Sequence, residues 1–174
     1  KIINYVVLKN REIYRNLKHK IYDHIKMKIS DILSPKNVLS NVECNSKKAT
    51  IELLAKNLAD SNNGISQVEI IDCLTAREKL GSTGLGNGIA IPHGRLKYCK
   101  EAIASFVKLN NGVDYETVDK IPVDLVFALI VPQESTDEHL NILAILAKTL
   151  SNQETISKLR KSKNQAEIFA LLTT

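Results

Sequence analysis

Three observations predict an α/β protein with a single sheet covered by helices on both faces. Capped amphipathic stretches alternate with short apolar runs. The 174 residues are 44% apolar and 25% charged, enough to bury one core and too few for two enzyme domains of ordinary length. No internal repeat or low-complexity linker divides the chain.

The first 26 residues stand apart. Ile13, Tyr14, Leu17, Ile21 and Ile25 recur at helical spacing with Lys and Arg on the other face, which predicts a basic amphipathic helix. Seven basic side chains face two acidic ones there, so the whole net charge of +5 resides in this segment. Residues 27 to 174 hold 17 of each sign and are neutral. Met27, the only methionine, marks the boundary, and residues 1–26 are read as an extension outside a domain of residues 27–174, with Met27 as the natural start.

From Met27 onward the elements follow in order. Ser46 is placed to cap a helix reaching about Asp60, with Ile51, Leu54, Ala55 and Leu58 facing the core. Ser66 with Glu69 three residues later is a capping-box pattern, opening a helix to about Leu80 whose apolar face is Val68, Ile71 and Leu74. A glycine-dense stretch follows, Gly81 to Gly88, then the short apolar run Ile89 to His93. Two buried strands are predicted, Ala102 to Leu109 and Val123 to Val131, with a turn at Asn111-Gly112 after the first. Thr136 is placed to cap a helix from Glu138 to about Leu150, lined by Leu140, Leu143, Ala147 and Leu150. Two short helices close the chain, Gln153 to Lys161 and Gln165 to Leu172, the second capped by Asn164 with Glu167 in register.

Composition excludes several classes of function. The longest clean apolar run, Leu125 to Pro132, falls far short of the roughly 18 to 20 residues a membrane-spanning helix needs. The apolar residues 5 to 8 are too few for a secretory signal. Cys44, Cys73 and Cys99 are odd in number and widely spaced, so they read as ordinary small residues in a reduced, cytoplasmic compartment. A zinc site from His93, His139 and Cys99 lacks any ligand pair at turn or helix spacing.

Chemistry concentrates between Arg77 and Arg95. The glycines of residues 81 to 88 could expose backbone N–H groups to an anion, and Ser82, Thr83 and Gly84 are the candidate phosphate-binding residues. Nucleotide readings fail on context: no G-K-[ST] ending is present, and the glycines precede a strand instead of opening a helix. His93, between Pro92 and Gly94, is either structural or a nucleophile, since a neutral imidazole attacks phosphorus without a separate base. A phosphorylated histidine carries about two negative charges and needs a cation, which Arg77 supplies at the end of its helix. His139, in the first turn of its own helix, is expected to be neutral beside the helix N-terminus and to keep an N–H to donate. Arg95 and Lys97 read as solvated rim residues able to meet an acidic partner. Asp114, Glu116 and Asp119 read as a solvated hairpin, and Asp137 and Glu138 as first-turn charges.

The stretch T-A-R-E-K-L-G-S-T-G-L-G-N-G-I-A-I-P-H-G, with I-P-V-D-L-V-F-A-L-I-V-P and a later H-L, resembles the type 2 IIA domains of the bacterial phosphoenolpyruvate:sugar phosphotransferase system, the mannitol/fructose class. It is most similar to the free-standing nitrogen-regulatory branch, and the resemblance runs from about Ile29 to the C-terminus. It implies a mixed sheet and a phosphotransferase that works through a phosphohistidine. By the family pattern His93 is phosphorylated on Nε2 by the phosphocarrier protein HPr or its nitrogen-branch counterpart, with His139 and Arg77 completing the active site. No nucleotide, metal or other cofactor is implied. The outlets implied are regulated protein partners or, alternatively, a IIB domain in sugar uptake. Nucleic-acid binding through the basic N-terminal helix is the remaining alternative, although the neutral body offers no binding motif.

Overall fold

The computed structural model describes residues 27–61 and 64–174; the basic helix expected over 13–25 lies outside them. The elements are α1 (Ile29–Ile32), β1 (Leu33–Val42), α2 (Lys47–Ser61), α3 (Gln67–Lys79), β2 (Gly84–Gly86), β3 (Ile89–Ala90), β4 (His93–Leu96), β5 (Ile103–Val113), β6 (Val123–Pro132), α4 (Thr136–Ser151), α5 (Gln153–Lys161) and α6 (Gln165–Thr173). They form one mixed six-stranded sheet in the order β1-β5-β6-β3-β2, with β4 also paired to β6. No helix among the described residues is long and apolar enough to cross a membrane.

Strand alternation divides the core between the two faces. On β6, Leu125, Phe127, Leu129 and Val131 point to a cluster completed by Ile142, Leu146 and Leu150 of α4 and by side chains from α1, α5 and α6. Val126, Ala128 and Ile130 point the other way, against Ile51, Leu54 and Leu58 of α2 and Ile70 and Leu74 of α3. Phe106 and Phe127, in register on β5 and β6, stack at 6.2 Å between ring centroids, a favourable tilted pair at the centre.

β3 and β4 both run parallel to β6 and follow one another along it, Ala90 opposite Val126 and His93 opposite Leu129. They read as one strand interrupted at Ile91-Pro92, since proline has no N–H for the ladder. The carbonyl of Pro92 still accepts from Leu129 N at 3.0 Å, so His93 begins β4 on a fixed base.

Several expectations shift. β1 was not legible: it carries Pro35 and Lys36 and lies at the sheet edge with register shifts, where proline is tolerated. No turn occurs at Asn111-Gly112; β5 continues to Val113 through an irregular register. On α3 the buried residues are Ile70 and Leu74, while Val68 is exposed. α4 begins at Thr136, one residue after Ser135 at the cap position, which makes no side-chain cap bond. Its buried stripe is His139, Ile142, Leu146 and Leu150, with Leu140 60% exposed and Ala147 on the surface. The Ser66–Glu69 and Asn164–Glu167 caps both form.

Candidate active site

The site is assembled where three elements meet. β4 supplies His93 and Arg95, which share one side of the strand because they are two residues apart. α3 supplies Arg77 from its last turn, and α4 supplies His139 from its first. Gly94 allows this approach: a Cβ there would collide with Cys73 Sγ, and that thiol donates to the Arg95 carbonyl at 3.3 Å. Helix and strand therefore lie close enough for Arg77 to reach across.

The hydrogen bonds fix the state of each imidazole. His93 Nδ1 lies 2.7 Å from the Ile91 carbonyl, an acceptor only, so Nδ1 carries the proton and Nε2 keeps its lone pair. Arg77 Nε donates to that Nε2 at 3.2 Å, and its Nη1 donates to the Gly81 carbonyl at 3.0 Å. The His139 ring meets that of His93 edge-on, with centroids 5.3 Å apart. Its Nδ1 accepts from Arg95 Nε at 3.0 Å, which leaves the proton on Nε2. That Nε2 is buried and has no hydrogen-bond partner among the described residues.

Both imidazoles are held neutral. Burial pushes His93 below its ordinary value, with smaller opposing help from the Ile91 carbonyl and further lowering by Arg77. His139 falls to about 4, first through burial and then through the neighbouring His93, Arg95 and Arg77. The expected neutral state is thus present, with burial as its first cause, then the His93 ring and the two guanidiniums. Two permanent cations flank two neutral rings, an environment suited to an incoming anion.

The glycine-dense stretch is organised differently from expectation. Gly84 to Ala90 forms the β2–β3 hairpin, and its turn holds Gly86, Asn87 and Gly88 at positive φ. The candidate phosphate-binding donors are engaged within the protein. Ser82 Oγ donates to the Tyr115 carbonyl, and Gly84 N donates to Ser82 Oγ. Thr83 N and Oγ1 both donate to Glu78, at 3.1 and 2.5 Å to Oε2. The loop's glycines thus serve a turn, and Glu78 ties the loop to α3. Asp114, Glu116 and Asp119 are exposed in the loop that joins antiparallel β5 and β6, as expected of a solvated hairpin, and Asp119 accepts from Asn87 N and Ile121 N. A cavity of about 660 Å³ between α2 and α3, lined in part by Lys47, Ile71 and Glu78, excludes His93 and His139. His93 is instead half-buried at the start of β4, with His139 buried beside it.

Arg95 is exposed, as expected of a rim residue, and it also donates to His139, a partner that sequence reading did not name. Its signal was the H-x-R spacing at a strand start, which puts both side chains on one side. Glu78, next to Arg77, was not singled out, although the R-E pair on a helix end sends two charged groups in different directions.

Residues 31–174 match the family described as phosphoenolpyruvate-dependent sugar phosphotransferase system, EIIA 2. The chain belongs to this EIIA type 2 family. Among its relatives, the nitrogen regulatory protein of Klebsiella oxytoca is 37% identical over 148 residues, 84% of this chain and 91% of that protein. The crystal structure of the nitrogen regulatory protein IIA-Ntr from Neisseria meningitidis superposes with a TM-score of 0.79 at 38% identity, covering 83% of this chain and 99% of that one. The mannitol IIA of Escherichia coli shares the EIIA type 2 fold, with a TM-score of 0.68 at 24% identity, over 80% of this chain and 98% of that one. The EIIA type 2 chain thus has a two-histidine, two-arginine face formed by β4, α3 and α4.

Proposed function

We propose that the chain is a histidine phosphocarrier of the nitrogen-regulatory branch, accepting a phosphoryl group on His93 Nε2 from a phosphohistidine of an HPr-type donor. The observation that carries this reading is the 2.7 Å bond from His93 Nδ1 to the Ile91 carbonyl, which leaves Nε2 as the nucleophilic nitrogen. Family membership and the nitrogen-regulatory relatives support it.

The step needs no proton abstraction. The Nε2 lone pair attacks phosphorus in line, the donor's P–N bond breaks, and its electron pair returns to the donor imidazole. The His93 ring becomes cationic as the bond forms, and the Ile91 carbonyl stabilises the Nδ1–H that carries this charge. Arg77, resting on Nε2, must turn to the phosphoryl oxygens as they arrive, exchanging one acceptor for a better one. The His139 ring lies edge-on to that of His93 and holds an unspent Nε2–H. Neither nucleotide nor metal enters this scheme, because the energy is already in the donor's P–N bond.

We assign the activity to residues 27–174 and read the phosphorylated state as the output. A phosphoryl group adds about two negative charges beside Arg95 and the exposed Lys97, enough to change which surfaces dock there. Incubation with phosphoenolpyruvate, enzyme I and HPr should add one acid-labile phosphate by intact mass. His93→Ala should add none, and a labelled His93→Ala protein would overturn the assignment. His139→Ala should accept more slowly. Distinct partner sets captured by the phosphorylated protein and by His93→Ala support signalling; identical sets support relay to a IIB-type acceptor.

A further inference from the structure

We propose that Arg95 is a positioning residue that fixes His139 as its Nε2–H tautomer and so aims a single donor at the phosphoryl group on His93; the proposal rests on the phosphocarrier reading. A neutral imidazole has one N–H and one lone pair, and a partner on one nitrogen decides the role of the other. Arg95 Nε can only donate, and at 3.0 Å it claims the lone pair of His139 Nδ1. The proton is thereby assigned to Nε2, which is buried without a partner among the described residues.

An unsatisfied buried donor is costly, on the order of 1 to 3 kcal/mol. Such a group is explained when a ligand supplies the missing acceptor. The nearest titratable ring is His93, 5.3 Å away between centroids, and a phosphoryl group on it would bring three acceptor oxygens into this gap. Had Nδ1 carried the proton, Nε2 would present a lone pair to an anion and repel it. The chemistry of His139 is therefore set from outside the reacting centre, by a side chain that is itself exposed.

The arrangement also follows from the local sequence. His93 and Arg95 start the same strand and point to the same side, so the His93 imidazole and the guanidinium that holds His139 are placed by one rigid element. Gly94 between them lets α3 approach from the opposite side. Cys73 Sγ holds the Arg95 carbonyl, which steadies the strand where the guanidinium departs.

The test is long-range ¹H–¹⁵N NMR of ¹⁵N-histidine-labelled full-length protein near neutral pH, joined to phosphoryl-transfer rates with HPr as donor. Wild type and Arg95→Lys should both show His139 protonated at Nε2. Arg95→Glu offers an acceptor to Nδ1 and should invert the assignment, with the proton at Nδ1. An unchanged Nε2–H signal in Arg95→Glu overturns the proposal. In the kinetic arm Arg95→Ala should slow acceptance on the order of 10- to 100-fold, the scale of a mis-set reacting geometry, and Arg95→Lys should restore most of it. In a His139→Ala background Arg95→Ala should cost nothing further, since its effect passes through that ring; additive losses overturn the proposal. If the wild type takes no phosphate at all, the phosphocarrier reading fails, while the NMR arm still decides what Arg95 does to His139.

Discussion

His139 combines deep burial with two nearby guanidiniums, and the same features that keep it neutral make the fold sensitive to acid. In the unfolded chain its imidazole titrates near 6.5, and in the folded protein near 4. Between these values the unfolded state binds more protons, so stability is full above about pH 6.5 and declines as the pH falls towards 4. The lowered value of His93 acts in the same sense. Chemical-denaturation midpoints from pH 7.5 to 4 should therefore fall further for the wild type than for His139→Gln; parallel curves would show that the imidazole contributes nothing. At this scale the sequence was informative about identity and less so about partnership. His93, Arg77 and His139 could be selected from the chain, whereas the bond from Arg95 to His139 spans 44 residues and depends on how β4 and α4 meet. The Gly-rich loop misled for a related reason: glycine density signals unusual backbone, and a tight hairpin turn satisfies that signal as well as an anion cradle does.

Among the elements, α3 and β4 form the pair on which the site depends. The missing side chain of Gly94 sets their separation, and Arg77 reaches His93 only because that separation is small. Gly94→Ala should push α3 outward, weaken the Arg77–His93 bond and slow phosphoryl acceptance, while Cys73→Ala in the same chain should restore part of the rate by making room. Circular dichroism before and after would separate this displacement from unfolding, and an unimpaired Gly94→Ala rate would mean the contact is not limiting. Helices with local caps were legible in the sequence, as Ser66–Glu69 and Asn164–Glu167 show, because both partners lie within one turn. β1 was not, since its polar and proline-containing stretch is strand only by virtue of pairing with β5. α4 was located correctly but rotated: it is apolar on several sides, and the buried stripe is the one that includes His139, not Leu140. Helical spacing alone leaves such a choice open until neighbouring elements are known.

Over the whole molecule, the sheet buries a core on each face and leaves His93 half-buried and Arg95 exposed where β4 begins. Residues 27 to 174 are electrically neutral, so the long-range field of the chain comes from the first 26 residues. A chain beginning at Met27 should accept phosphate at the full-length rate and lose retention on a cation exchanger; a marked drop in acceptance would bring the basic segment into the function. The global layout, helices on both faces of one sheet, was readable from alternating element types, but the strand order was not, because pairing is decided by contacts far apart in the chain. One detail of that layout reaches further. Arg77 and Glu78 are neighbours on the last turn of α3, and about 100° of helical rotation sends one to His93 and the other to Thr83 of the hairpin loop. His93 and the loop are thus tied to one helical turn, so the site has fewer independent ways to loosen than its four scattered segments suggest, and any fraying of that one turn would disengage both at once.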